Sequence, residues 1–260
     1  MPGNADITIA QSIAITDPGE VDRDQHTRVD RFVIGVGNLV AWLFPLLIVA
    51  ICAQVVLRKM GVNQAWLDDA QWWIYGFAMT VGFAYAITTQ SHVRVDILHH
   101  HFSPTKKARI EVLGLGWLLL PFLLMMTDIL FHYGWASFIA GEGSDSPNGL
   151  HRLYLLKISL PALFALAVLA AISILTRHLA VLTRVHLGSV LIAMFPASWF
   201  AAERLVFYIL YWVIRATNPD IEARRISREP VMDHTIWIAL ALVLALIAFG
   251  FVRNRAAREV

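Results

Sequence analysis

Long uncharged apolar runs, closed at their ends by arginine and lysine, restrict the fold of this chain more than any other feature. The core of the first run, VAWLFPLLIVAICAQVVL, carries no charge, and neither does Thr235–Phe251. A helix crossing a hydrocarbon layer of roughly 30 Å needs about 20 such residues. Apolar residues make up 58% of the 260, above the roughly 45–50% of a soluble domain, and the excess is gathered into blocks of spanning length. The fold class that follows is an all-α integral membrane protein in a lipid bilayer. A formal charge of +2, with the basic residues placed at block ends, gives no reason to expect nucleic acid.

Six blocks are predicted to span. The first is Phe32–Leu57, closed by Arg58 and Lys59, with Pro45 expected to kink it because the carbonyl four residues back loses its donor. The second is Trp66–Thr89, with Asp68 and Asp69 in its first turn, where acids favour a helix start. Gly76, Gly82 and Ala84 would admit a neighbouring helix. Ile110–Ile139 is the third, with Pro121 as a second expected kink, and Leu153–Leu175 the fourth, with Lys157 and Pro161 near its start. Leu187–Ile214 is apolar enough to span yet holds Glu203, Arg204 and Pro196; each charge would cost about 2.5–3.5 kcal/mol at a bilayer centre. It reads either as a span or as helix lying in the interface. Thr235–Phe251 is a clear last span.

Between the blocks, Met1–Asp30 is polar and lacks the apolar core and cleavage site of a signal peptide; it is expected to be a disordered cytoplasmic tail. Ser91–Arg109 joins the second and third spans and carries Arg94, Asp96, His99, His100, His101, Lys106, Lys107 and Arg109. Its stretch His92–Asp96 is expected as a short interfacial helix or turn, and Ser103-Pro104 as a helix start. The loop after the third span, Gly141–Gly149, is rich in turn residues.

Charge sets the orientation. With the N-terminus inside and four spans, nine basic residues lie inside (Arg23, Arg28, Arg31, Arg94, Lys106, Lys107, Arg109, Arg177, Arg184) and four outside (Arg58, Lys59, Arg152, Lys157). With all six spans, Arg253, Arg255 and Arg258 join the inside, and Arg215, Arg224, Arg225 and Arg228 the outside. The N-terminus is therefore expected in the cytoplasm, and charge leaves the side of the C-terminus open.

Chemistry is sparse. Three consecutive histidines, His99–His101, point about 100° apart on a helix and cannot all face one metal; they read as a solvated patch. Asp128 and His132 stand four residues apart on one face of the third span, near its outer end. Cys52 sits alone in an apolar block and reads as filler. No phosphate loop and no nucleophile–base arrangement is present. The residues thus give no catalytic centre, no cofactor and no metal site, and a scaffold or accessory subunit fits them better than an enzyme or pump.

The first four spans resemble the DctQ-type small permease subunit of tripartite ATP-independent periplasmic (TRAP) transporters. The resemblance rests on Trp66-Leu67-Asp68-Asp69 at the start of span two and on Gly82–Ala86 followed by His92-Val93-Arg94-Val95-Asp96. It rests also on Ser144 through Pro147 with Tyr154–Lys157 and Pro161 at the start of span four. It covers Arg31–Leu182 and implies a four-helix DctQ-like core, 31–184, after a tail, 1–30, with 185–260 as a C-terminal extension of one or two further spans. It implies no enzyme activity but a part in solute import at a bacterial inner membrane. A large TRAP permease subunit would move an organic acid or similar solute, delivered by a periplasmic substrate-binding protein, while this chain holds the large subunit in place. Trp66, Asp68, Asp69, His92, Arg94, Asp96, Ser144, Pro147 and Lys157 are the implied motif and subunit-contact residues. A stand-alone small channel, suggested by Asp128 and Glu203, and a haem or metal membrane enzyme, suggested by the histidines, are the alternatives.

Overall fold

The computed structural model describes residues 18–20, 23–91 and 102–259. Among these residues the regular structure is helical and contains no strand. The helices are α1 (Arg28–Ala41), α2 (Leu43–Lys59), α3 (Ala65–Thr89), α4 (Pro104–Leu113), α5 (Leu120–Ala140), α6 (Tyr154–Leu182), α7 (Leu187–Ala193), α8 (Phe195–Thr217), α9 (Ala223–Ile226) and α10 (Thr235–Glu259). A π-helical segment, Gly114–Leu119, joins α4 to α5 without a break. Five helices among the described residues are long and apolar enough to cross a membrane: Arg28–Lys59, Pro104–Ala140, Tyr154–Leu182, Phe195–Thr217 and Met232–Ala256. The sixth expected span, α3, is long enough at 25 residues, about 37 Å, but its tryptophans, tyrosines, glycines and threonines leave it less apolar than the five.

Within Met1–Asp30, expected as a disordered tail, the described residues are structured. Pro18–Glu20 and Arg23–Gln25 form short 3₁₀ turns, and the Gly19 amide donates to the Tyr85 hydroxyl at 3.0 Å. Thr27 and Asp30 then make a capping box, each side chain accepting from the other's amide at 3.1 and 2.9 Å. Such a box satisfies two of the donors that a helix start leaves open. Asp30 is fully buried, and the Thr27 hydroxyl also meets Ser173 Oγ at 2.8 Å.

Proline acts differently at each site. The first span breaks into α1 and α2 at Trp42, one turn before Pro45, as expected where Ala41 O has no donor. Pro196 breaks α7 from α8 at Met194 in the same way. Before Pro121 the helix widens into the π segment instead of breaking, a recognised way to absorb an irregularity. Pro161 lies inside α6 without ending it.

The chain divides into two compact units, residues 1–95 with 127–174 and residues 96–126 with 175–260. The division passes through the two long helices α5 and α6. In the first unit α3 packs against both α1 and α2, with Ala78, Val81 and Ala84 buried along it. Close helix approach was expected at Gly76 and Gly82, but nothing stands within 4 Å of a Cβ built there. A Cβ at Gly37 would instead meet the Tyr85 ring, and one at Gly134 the backbone of Lys157 and Ile158.

In the second unit α7 and α8 run antiparallel along α10. At one end Gly188 abuts Gly250 and Phe251, and the His186 and Phe251 rings stand 4.7 Å apart. At the other end the Trp199 indole donates to Ile236 O at 3.0 Å, and the Thr235 hydroxyl donates to Glu203 Oε1 at 3.1 Å. Gly116 lies against Ala193 and Leu175. Counting seven residues from that level, about 10 Å of helix, reaches Arg109, His186 and Leu182. Lys106, Lys107, Arg109, Arg184 and Arg253 therefore gather at one end of this unit.

Candidate functional site

Four of the described motif residues, Asp69, Ser144, Pro147 and Lys157, lie in or against the loop between α5 and α6. That loop is tied at three points. The Asp69 carboxylate, from α3, accepts the Leu150 amide at 2.9 Å, and the Ser144 amide donates to Leu150 O at 2.9 Å. Gly149 is buried between them: a Cβ there would collide with Ser144 Oγ and Asp69 Oδ2. Asp69 and Ser144, far apart in sequence, are thus brought together by a glycine neither could replace.

Lys157 makes the third tie. Its ammonium, 15% exposed, lies 2.5 Å from Glu142 Oε1, and the Ser137 hydroxyl donates to Glu142 Oε2 at 2.5 Å. The ammonium also sits over the Tyr133 ring, 4.5 Å from its centre, a cation–π contact. Glu142 is therefore held below the usual carboxylate range, first by the Lys157 hydrogen bond and then by that of Ser137. Glu142 was not among the sequence candidates. Its available signal was an acid opening a turn-rich loop fifteen residues before a lysine in the first turn of an apolar helix.

Asp68 and Asp69 were expected at the start of α3, where acids favour the helix, and as subunit contacts; Asp68 does lie in its first turn, while Gln64 occupies the N-cap position and makes no side-chain cap. Asp68 meets Arg58 Nη2 at 3.4 Å across the α2–α3 connection, with 43% of its side chain exposed. Trp66 donates to Gln64 Oε1 at 2.8 Å and is exposed, as is Pro147. His92, Arg94 and Asp96, the expected interfacial stretch around them, and His99–His101 lie outside the described residues. Among the described residues no group of three or more His, Cys, Asp or Glu side chains is placed to hold a metal ion. Asp128 and His132 approach to 4.0 Å with His132 exposed, longer than a hydrogen bond.

Among the buried polar atoms of this unit that sequence reasoning missed, Gln54 Oε1 on α2 and Trp73 Nε1 on α3 find no hydrogen-bond partner among the described residues.

No curated protein and no solved structure matches the chain. A family model does match, over residues 47–181, just over half of the chain, and its description reads "Tripartite ATP-independent periplasmic transporters, DctQ component". The match begins inside α2, takes in α3 and the Asp69–Leu150 and Glu142–Lys157 ties, and ends with α6. The chain belongs to the DctQ family, the small membrane components of TRAP transporters.

Proposed function

We propose that this chain is the fixed part of a tripartite importer in a bacterial inner membrane. It holds a large multi-span permease subunit in the bilayer while that subunit moves an organic acid or similar solute received from a periplasmic binding protein. The observation that carries this reading is the family match across α3, α5 and α6. The part is one of positioning, with no reaction catalysed by the chain. Residues 31–184 form the family core and 185–260 an addition to it. The excess of arginine and lysine around residues 23–31, 94–109 and 177–184 supports a cytoplasmic N-terminus.

Exposure divides the motif residues into two jobs. Asp69, Ser144 and Lys157 point into their own loop and shape it. Trp66, Asp68 and Pro147 present themselves outward and are the contacts offered to the large subunit, together with His92, Arg94 and Asp96 from the loop after α3. Affinity purification of the tagged full chain from its native membrane tests this. Recovery of a larger multi-span protein is expected, and the double variant Trp66→Ala/Asp68→Asn should lower that recovery several-fold with unchanged thermal unfolding. A chain that purifies alone and transports solute by itself would overturn the proposal.

A further inference from the structure

The second unit contains an apolar cavity of about 430 Å³, lined by Pro196, Trp199, Phe200, Glu203, Arg204 and Ile236. That volume lies within the range of small-molecule sites. Its depth in the membrane can be fixed from the helices around it. Thr235–Phe251 is the uncharged part of α10, about 26 Å long at 1.5 Å per residue, close to the thickness of the hydrocarbon layer. Thr235 therefore lies at one edge of that layer, with Asp233 and His234 just outside it. Glu203 bonds Thr235, so Glu203 and Arg204 lie at the same edge. At this register 187–202 runs beside the uncharged part of α10 and the charged pair stands level with Thr235, at headgroup level with an apolar cavity beneath it, while the rest of the apolar helix Phe195–Thr217 runs on past that edge.

The pair presents both signs at the cavity mouth. Arg204 Nε and Nη2 donate to Glu203 at 2.6 and 2.8 Å. The Thr235 hydroxyl, whose single proton also has Met232 O within reach at 3.0 Å, is the third donor beside the Glu203 carboxylate, which keeps one of its roughly four acceptor positions open on Oε2. Arg204 is 31% exposed and Glu203 15%, and the guanidinium lies 4.8 Å from the Phe207 ring centre. The Trp199 indole already donates to Ile236 O, so its ring offers the cavity an apolar wall.

We propose that this cavity binds one zwitterionic aminophospholipid. Its primary ammonium donates to Glu203, its phosphate faces Arg204, and an acyl chain lies along Trp199, Phe200 and Ile236. Charge complementarity selects this occupant. An anionic headgroup without an amine would leave Glu203 facing a phosphate, and a trimethylated amine has no N–H to donate.

Native mass spectrometry of the full-length chain in detergent tests it, with phosphatidylethanolamine, phosphatidylcholine and phosphatidylglycerol of identical acyl chains added in equal amounts. One phosphatidylethanolamine should be retained at least several-fold over the other two. Glu203→Gln should bring its ratio to phosphatidylcholine near one. Ile236→Trp, which fills the cavity and keeps the ion pair, should abolish retention while thermal unfolding stays that of the parent chain. Equal retention of the three lipids, preference for phosphatidylglycerol, or a lipid that survives Ile236→Trp would each overturn the proposal.

Discussion

Two ion pairs, Glu142–Lys157 in the first unit and Glu203–Arg204 in the second, have similar geometry and opposite consequences for the fold. Lys157 belongs to α6 and Glu142 to the loop after α5, fifteen residues away, and the pair recruits Ser137 from α5. It closes a loop. Glu203 and Arg204 are chain neighbours on one helix, so their mutual contact ties no second element; the Thr235 hydroxyl links Glu203 to α10. A charge pair stabilises tertiary structure when its members come from different elements. When they are neighbours it mainly lowers the cost of placing charge near hydrocarbon.

The sharpest way to break this comparison is to remove Lys157. Lys157→Met keeps the aliphatic stem over Tyr133 and deletes the charge. Solvent at the exposed Glu142 weakens the pair, but the loop loses its tie to α6, so a lower thermal midpoint and faster proteolysis of the 141–153 loop are expected. Glu142→Gln in the same background should add little, because the two act as one unit.

Acid offers a gentler perturbation of the same tie. Glu142 titrates below its ordinary value in the folded chain. Its contribution is therefore fully present above the unfolded-state carboxylate pKa and is lost as pH falls through the lowered, folded value. Hydrogen exchange of the 141–153 amides should stay slow down to the ordinary carboxylate range and rise below it. A rise at neutral pH would mean that Glu142 does not hold the loop.

The smallest effect is expected at the second pair. Glu203→Gln retains an acceptor for Thr235 and a partial one for Arg204 and cuts no tie between elements other than the Thr235 contact, so the thermal midpoint should fall by less than in Lys157→Met. A loss as large as that of Lys157→Met would erase the distinction between the two pairs.

Much of this was legible along the chain. Block lengths, terminal arginines and lysines, the helix start at Ser103-Pro104 and the break before Pro45 follow from local chemistry, because a bilayer imposes length and a proline removes a donor wherever it stands. The motif residues Asp69, Ser144 and Lys157 were also visible, though as family marks without partners. Their mutual placement was not, since a hydrogen bond from Leu150 to Asp69 spans 81 positions and leaves no periodicity.

The sequence by itself determined that the chain is a helical membrane protein and which segments are apolar enough to cross, because transfer from water depends on composition over a window of residues. Tertiary structure alone decided which part of α10 stands level with Glu203 and Arg204. A window centred on Leu187–Ile214 puts Glu203 and Arg204 in mid-span; packing against α10 puts them level with Thr235, because the register of two neighbouring helices is fixed by which side chains and backbones fit together. It also decided which glycines matter. Gly76 and Gly82 face open space while Gly116, Gly134 and Gly188 meet backbone, a distinction set by the neighbouring helix and absent from the residues themselves.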